Sequence, residues 1–121
     1  MLPLSAPAPL VGGVSVVVPV HDEEAAIADV VGTLLEELPR VAARFELIVV
    51  DDGSTDGTSN VLGRLAPVTP ALRVVRHAYN RGYGAALRSG FAVARHAYVF
   101  IMDGDGQFDP AQLGEIGRAH V

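Results

Sequence analysis

Four short apolar runs, separated by stretches of helical periodicity, constrain this chain more than any other feature. They are Val14–Val20, Phe45–Val50, Leu72–Val75 and Tyr98–Met102. Each is rich in β-branched or aromatic residues and too short for a buried helix, so each reads as a strand. The last is a continuous apolar run, which predicts burial on both faces. Between the first two, Ile27, Val30, Val31, Leu34, Leu35 and Leu38 recur at helical spacing. The spacing predicts a helix whose first turn carries Asp22, Glu23 and Glu24, where the macrodipole favours negative charge. Pro39 is expected to end or kink it. Ser54 or Thr55 can cap a second helix bearing Val61, Leu62 and Leu65. Pro67 and Pro70 bound a linker. A third helix begins near Asn80 and a last one at Asp109-Pro110.

The resulting order is βαβαβαβα with no internal repeat. Alternation of this kind implies an α/β fold: a Rossmann-like parallel sheet with right-handed crossovers and flanking helices. Three of the four strands run directly into carboxylates: Asp22 and Glu23, Asp51 and Asp52, then Asp103 and Asp105. All would lie at the carboxyl edge of one sheet, where open α/β sheets bind ligands.

The densest of these clusters is Met102-Asp103-Gly104-Asp105-Gly106-Gln107. Two carboxylates one residue apart repel, and one would hold its proton unless a cation sat between them. Hard oxygen donors on a flexible loop suit Mg²⁺ or Mn²⁺, with a substrate phosphate completing the shell. The plainer alternative is a polar turn, with Asp and Gly chosen for their backbone preferences.

Composition narrows the classes. At 121 residues the chain is at most one small domain, and 50% hydrophobic content supports a buried core. A net charge of −5 argues against a nucleic-acid or anionic-membrane binder. The absence of Cys removes disulfides and thiolate metal sites. No apolar run reaches transmembrane length. Residues 1–13 hold three prolines and two adjacent glycines and read as a mobile lead rather than a secretory signal.

Arg81-Gly82-Tyr83-Gly84-Ala85-Ala86-Leu87 imitates a dinucleotide fingerprint, but Leu87 stands where the third glycine belongs and the motif follows the third strand. Two readings stay open: Gly82 and Gly84 admit a ligand near Arg81, or they mark an ordinary glycine-rich helix start. His21, His77, His96 and His120 lack metal-ligand spacing, and surface or structural roles are expected for them. His21 stands apart because it lies at a strand end beside Asp22 and Glu23. Tyr79 and Tyr83 read as packing residues, and Ser54 has no neighbouring His to form a nucleophilic triad.

Four segments together resemble the family 2 glycosyltransferases of the GT-A fold: Val16 to Glu24, Ile48 to Thr58, Asn80 to Ala86 and Met102 to Pro110. The resemblance is nearest to the dolichyl- or polyprenyl-phosphate mannosyl- and glucosyltransferases. It implies that residues 14–115 are the N-terminal nucleotide-binding half of a GT-A domain. Pro19, His21 and Glu23 would hold the nucleotide, although the family more often has Tyr or Phe at the His21 position and Asn at the Asp22 position. Val49 and Asp51 would contact base and ribose, supported by Asp52, and Arg81 and Gly82 would lie near the nucleotide. Asp103, Gly104 and Asp105 match the DxD motif, which makes Asp103 and Asp105 the candidate catalytic pair. Gln107 matches a further ligand beside the Mg²⁺ or Mn²⁺.

The implied reaction moves a sugar from a UDP- or GDP-linked donor to a polyprenyl (dolichyl) phosphate. It would occur in the cytoplasm at the inner membrane face, with membrane association through further C-terminal segments. A haloacid-dehalogenase-like phosphatase using Asp103 and Asp105 is an alternative, but its motif belongs on a first strand and continues with Thr or Val. A non-catalytic nucleotide-binding module is another. Residues 116–121, Ile-Gly-Arg-Ala-His-Val, resemble the translation of a sequencing adapter and are expected to be a non-native tail. On that expectation the chain by itself is inactive, because the segments that position an acceptor would follow the DxD strand.

Overall fold

The computed structural model describes residues 12–104. Four strands form one parallel sheet: β1 (Val14–Val20), β2 (Phe45–Asp52), β3 (Leu72–His77) and β4 (Tyr98–Ile101), in the order β3-β2-β1-β4. Three α-helices alternate with them: α1 (Ile27–Val41), α2 (Thr58–Leu65) and α3 (Tyr83–Val93); a short 3₁₀ turn, Ala66–Val68, follows α2. The alternating α/β architecture and the parallel sheet are as the sequence pattern requires. The helix expected from Asp109-Pro110, and the expected roles of Asp105 and Gln107, fall outside the described residues.

Period-two alternation divides the side chains between two layers. Val14, Val16, Val18 and Val20 of β1 join Leu47 and Val49 of β2 in a core under α1 and α2. Val17, Ile48 and Val50 point the other way and pack with Ala86 of α3. Helix α1 presents Ile27, Val30, Val31, Leu34, Leu38 and Val41 to the first layer. Full burial of such a side chain contributes about 1.5–3 kcal/mol, so this stripe rather than capping holds the helix. No side-chain cap closes either α1 or α2.

Several local expectations are corrected. Helix α1 begins at Ile27, not at Asp22, because Asp22 and Glu24 are engaged by the neighbouring 54–58 loop. It also continues past Pro39 to Val41. A proline this near the end forfeits little of the hydrogen-bond ladder, while Leu38 and Val41 keep their core contacts. Neither Ser54 nor Thr55 caps α2; Asp56 Oδ1 accepts the Thr58 amide at 2.9 Å. Strands β2 and β3 each run two residues further than their apolar runs, to Asp52 and His77. Strand β4 is not buried on both faces: Val99 and Ile101 are 39% and 44% exposed. Among the described residues it is an edge strand, with Tyr98 and Phe100 facing the α1 layer.

Candidate functional site at the carboxyl edge of the sheet

Strand order reverses at β1: the chain moves outward through β2 and β3, then returns to the other side of β1 with β4. The ends of β1, β2 and β4 therefore converge, as they do where open α/β sheets form ligand crevices. A cavity of about 320 Å³ opens at this edge, lined by Pro19, Val20, His21, Asp52, Asn80, Gly82, Tyr83 and Ala86. Four of the residues singled out by sequence are among them: Pro19, His21, Asp52 and Gly82.

The cavity wall is held by reciprocal loop contacts. Asp22, with a φ of 53°, donates its amide to Ser54 Oγ at 2.9 Å, and its Oδ1 accepts the Thr55 amide at 2.7 Å. The Glu23 amide donates to Thr58 Oγ1 at 2.9 Å, and Glu24 Oε1 accepts the Gly57 amide at 2.9 Å. The acidic residues after β1 thus fasten the β1–α1 loop to the β2–α2 loop. His21 closes the same seam, its Nδ1 donating to the Asp52 carbonyl oxygen at 2.8 Å. Its Nε2 lies 3.3 Å from Asp22 Oδ2.

Asp51 and Asp52 are neighbours with opposite directions. Asp51 faces the α1 layer, is fully buried, and accepts the Ser54 amide through Oδ1 at 3.1 Å. Its Oδ2 has no hydrogen-bond partner among the described residues. Asp52 faces α3 and accepts the Arg81 and Gly82 amides, each at 2.9 Å, through Oδ1 and Oδ2 respectively. His77 Nδ1 lies 2.8 Å from Asp52 Oδ1. Burial alone would raise the Asp52 pKa, but the hydrogen bonds from His77, Arg81 and Gly82 outweigh it and hold the carboxyl below the ordinary aspartate value.

Other candidates sit apart from the cavity. Val49 is fully buried in the α1 layer, so its side chain offers no surface to a ligand. Glu23 and Arg81 flank the site without lining the cavity, Arg81 with an exposed side chain. Gly104 packs so tightly on Val18 and Val20 that a Cβ there would collide with the Val20 side chain. That close approach brings the end of β4 against β1 residues bordering the cavity, with Asp103 exposed beside it. Asp103 is the right kind of donor for a hard divalent cation. Among the described residues, no group of three or more His, Cys, Asp or Glu is placed to hold a metal. Asp105 and Gln107, the remaining members of the expected set, lie outside the described residues.

Sequence reasoning passed over Asn80, Tyr83 and Ala86 as cavity residues and treated His77 only as structural or superficial. A signal existed for His77. It is the register partner of Asp52, and paired residues of a parallel ladder share a face.

The parallel sheet, its flanking helices and its carboxyl-edge cavity match solved glycosyltransferases of the GT-A fold. Among solved structures, the Pyrobaculum calidifontis mannosyltransferase PcManGT, in complex with GDP-Man and Mn²⁺, is 33% identical with a TM-score of 0.68. That match covers 76% of this chain and 27% of the other. S. aureus TarS 1–349 in complex with UDP-GlcNAc is 27% identical with a TM-score of 0.64, over 76% of this chain and 26% of that one. Residues 15–119 match the family described as Glycosyl transferase family 2, and the chain belongs to that family.

Named relatives agree. The undecaprenyl-phosphate 4-deoxy-4-formamido-L-arabinose transferase of Aeromonas hydrophila subsp. hydrophila is 32% identical over 108 residues, 88% of this chain and 33% of the relative. The dodecaprenyl-phosphate galacturonate synthase of Rhizobium johnstonii is 38% identical over 100 residues, 82% of this chain and 30% of the relative. The chain thus spans about a third of the length of these relatives. Family membership sets aside the haloacid-dehalogenase reading.

Proposed function

We propose that the protein binds a nucleoside diphosphate sugar at this edge and serves transfer of the sugar to a polyprenyl phosphate. The observation that carries the reading is the cavity between the ends of β1 and β2 and the start of α3, lined by Pro19, His21, Asp52 and Gly82. Relatives named for undecaprenyl- and dodecaprenyl-phosphate products support a lipid-phosphate acceptor. Neighbours bound to GDP-Man and to UDP-GlcNAc support a nucleotide-sugar donor. Pro19, His21, Glu23, Val49, Asp51, Asp52, Arg81, Gly82 and Gly104 form the proposed nucleotide site, Val49 through its place in the strand rather than its buried side chain.

Within that site the chain's own groups have separable tasks. Asp51 Oδ2 is buried, lies outside the cavity lining and has no hydrogen-bond partner among the described residues; as a nucleotide contact it would accept a ligand N–H or O–H. Asp52 fixes the turn that forms one wall, and His21 lines the cavity while bonded to the Asp52 carbonyl. Asp103, with Asp105 and Gln107, would hold Mg²⁺ or Mn²⁺, which when bound neutralises charge developing on the departing diphosphate. In the reaction, the bond from the anomeric carbon to the diphosphate oxygen breaks as an acceptor phosphate oxygen bonds to that carbon. An acceptor phosphate is already anionic, so no strong base is required of the protein.

The cytoplasmic membrane face belongs to the same proposal. Among the described residues, no helix is long and apolar enough to cross a membrane. Calorimetric titration with UDP- and GDP-sugars, with and without Mn²⁺, tests donor binding; a transfer assay with polyprenyl phosphate tests the reaction. Absence of nucleotide binding under all conditions would overturn the reading.

A further inference from the structure

Asp52, which lines the cavity, continues inward through two side chains, His77 and Ser89, that the proposed reaction leaves unused. Asp52 and His77 are paired in the β2–β3 ladder, both buried and both facing α3. His77 Nδ1 lies 2.8 Å from Asp52 Oδ1, and His77 Nε2 lies 2.7 Å from Ser89 Oγ in the second half of α3. An ionised carboxylate only accepts, so Nδ1–H donates to Asp52, while Nε2 pairs with the Ser89 hydroxyl. At its other end Asp52 holds two consecutive amides, Arg81 and Gly82, where α3 begins.

The order Ser–His–Asp invites a hydrolytic reading, but the placement opposes it. Neither Ser89 nor His77 lines the cavity; only the aspartate end does. The line therefore runs from the middle of a helix toward the site, with nothing to attack at the serine end. What it reaches is a turn that needs external support. Gly82 has a φ of 99° and Gly53, with a φ of 70°, lies so close beneath the Tyr79–Asn80 backbone that any Cβ would collide with it. Within that turn the Asn80 side chain contributes one tether, its Oδ1 accepting the Gly82 amide at 3.1 Å. The Asp52 carboxylate supplies the others.

Resting on the nucleotide-site reading, we propose that His77 and Ser89 are positioning residues. Ser89 orients the His77 ring, His77 orients the Asp52 carboxylate, and Asp52 sets the Arg81–Gly82 turn against the nucleotide. A carboxylate free to rotate about its χ torsions would keep one amide at the expense of the other, and the cavity wall would shift with it. Shifts of about 1 Å at a binding wall have large effects on how a ligand is held.

Two substitutions at position 77 separate positioning from packing. Asparagine can place its amide N–H near the Nδ1 position and keep the bond to Asp52, whereas glutamine reaches toward Ser89 and loses it. UDP and GDP affinities are measured by calorimetry with Mn²⁺, alongside thermal unfolding, for the wild type, His77→Gln, His77→Asn and Ser89→Ala. His77→Gln is expected to weaken nucleotide binding about tenfold, the scale of one charge-assisted hydrogen bond, and His77→Asn to restore most of that loss. Ser89→Ala is expected to fall between wild type and His77→Gln. Hydrogen exchange at the Arg81 and Gly82 amides should quicken in His77→Gln and recover in His77→Asn. Equal weakening by both His77 variants, or wild-type exchange and affinity in His77→Gln, would overturn the positioning role. A wild type that binds no nucleotide, with exchange still ordered as expected, would overturn the nucleotide reading and leave the His77–Asp52 link to the turn supported.

Discussion

Ser15 Oγ donates to Glu46 Oε2 at 2.6 Å, joining β1 to β2 through two fully or nearly fully buried polar side chains at the amino-terminal edge of the sheet. Arg73 Nη1 reaches the other Glu46 oxygen at 2.8 Å and also donates to the Val93 carbonyl at 2.7 Å. The Arg95 amide donates to Glu46 Oε2 at 2.7 Å, and the His96 amide to Ser15 Oγ at 3.2 Å. One carboxylate thus ties three strands to the connection between α3 and β4, at the edge opposite the cavity. Burial opposes its ionisation, but the bonds from Ser15, Arg73 and the Arg95 amide prevail and hold its pKa below the ordinary glutamate value.

Acid should loosen the fold through this group. A carboxylate whose folded pKa is depressed contributes stability that is fully present above its unfolded pKa and is lost as pH falls through the folded one. For Glu46 the loss begins near pH 4.5 and continues below it; Asp52 adds to it from about pH 3.8 downward. Urea midpoints at pH 7, 5, 4 and 3 should fall most steeply below pH 4.5, and less steeply in Glu46→Gln. Equal slopes in both proteins would contradict the assignment.

Gly90 is the place where α3 rests on β1, and a Cβ there would collide with the Val17 side chain. Gly90→Ala gains about 0.5–1 kcal/mol of helix preference but meets an overpacking cost of about 1–3 kcal/mol. Net destabilisation of about 1 kcal/mol is expected from chemical denaturation. Adding Val17→Ala should remove the penalty, giving a double-mutant coupling that distant substitutions lack. An additive double mutant would mean that the contact does not limit packing.

Two other glycines should respond in opposite directions. Gly63, exposed within α2, has open space where a Cβ would go, so Gly63→Ala should stabilise by about 0.5–1 kcal/mol. Gly53 combines a φ of 70° with the Tyr79–Asn80 backbone directly over it. Gly53→Ala should destabilise by about 2 kcal/mol or more, since strained backbone and steric conflict add. Thermal melts of both variants check the sign.

Asp103→Asn should abolish the Mn²⁺-dependent part of UDP or GDP binding while leaving the unfolding midpoint within about 0.5 kcal/mol of wild type, because the side chain is exposed. Calorimetry with and without Mn²⁺ measures the first, urea denaturation the second. Unchanged metal-dependent affinity would remove Asp103 from the metal site.

Removing Asp51's buried carboxylate tests the proposed contact behind the cavity lining. If its Oδ2 is the acceptor for a ligand N–H or O–H, Asp51→Asn should weaken nucleotide binding by about tenfold or more, the consequence of replacing an acceptor with a donor. Full retention of affinity, measured by the same titration, would show that the ligand does not meet this oxygen.

Sequence alone determined the layer arrangement. Apolar runs of strand length, separated by helical periodicity, admit little besides a parallel sheet, and carboxylates following Val20, Val50 and Met102 had to gather at one edge. The same pattern could not assign directions to individual carboxylates. Asp51 and Asp52 are adjacent and chemically alike, yet one is buried beneath α1 with an orphan oxygen and the other clamps a turn thirty residues away. Parity along β2 separates them, and parity has meaning only once the layer covering each face is known. Likewise Asp22 and Glu24 read as helix-dipole charges until tertiary contact showed them fastening the 54–58 loop. The apolar run Tyr98–Met102 reads as buried on both faces, yet among the described residues Val99 and Ile101 are exposed. Local composition records what a residue prefers to neighbour; only the folded chain decides which neighbour it has, because hydrogen bonds and packing join segments that are far apart in sequence.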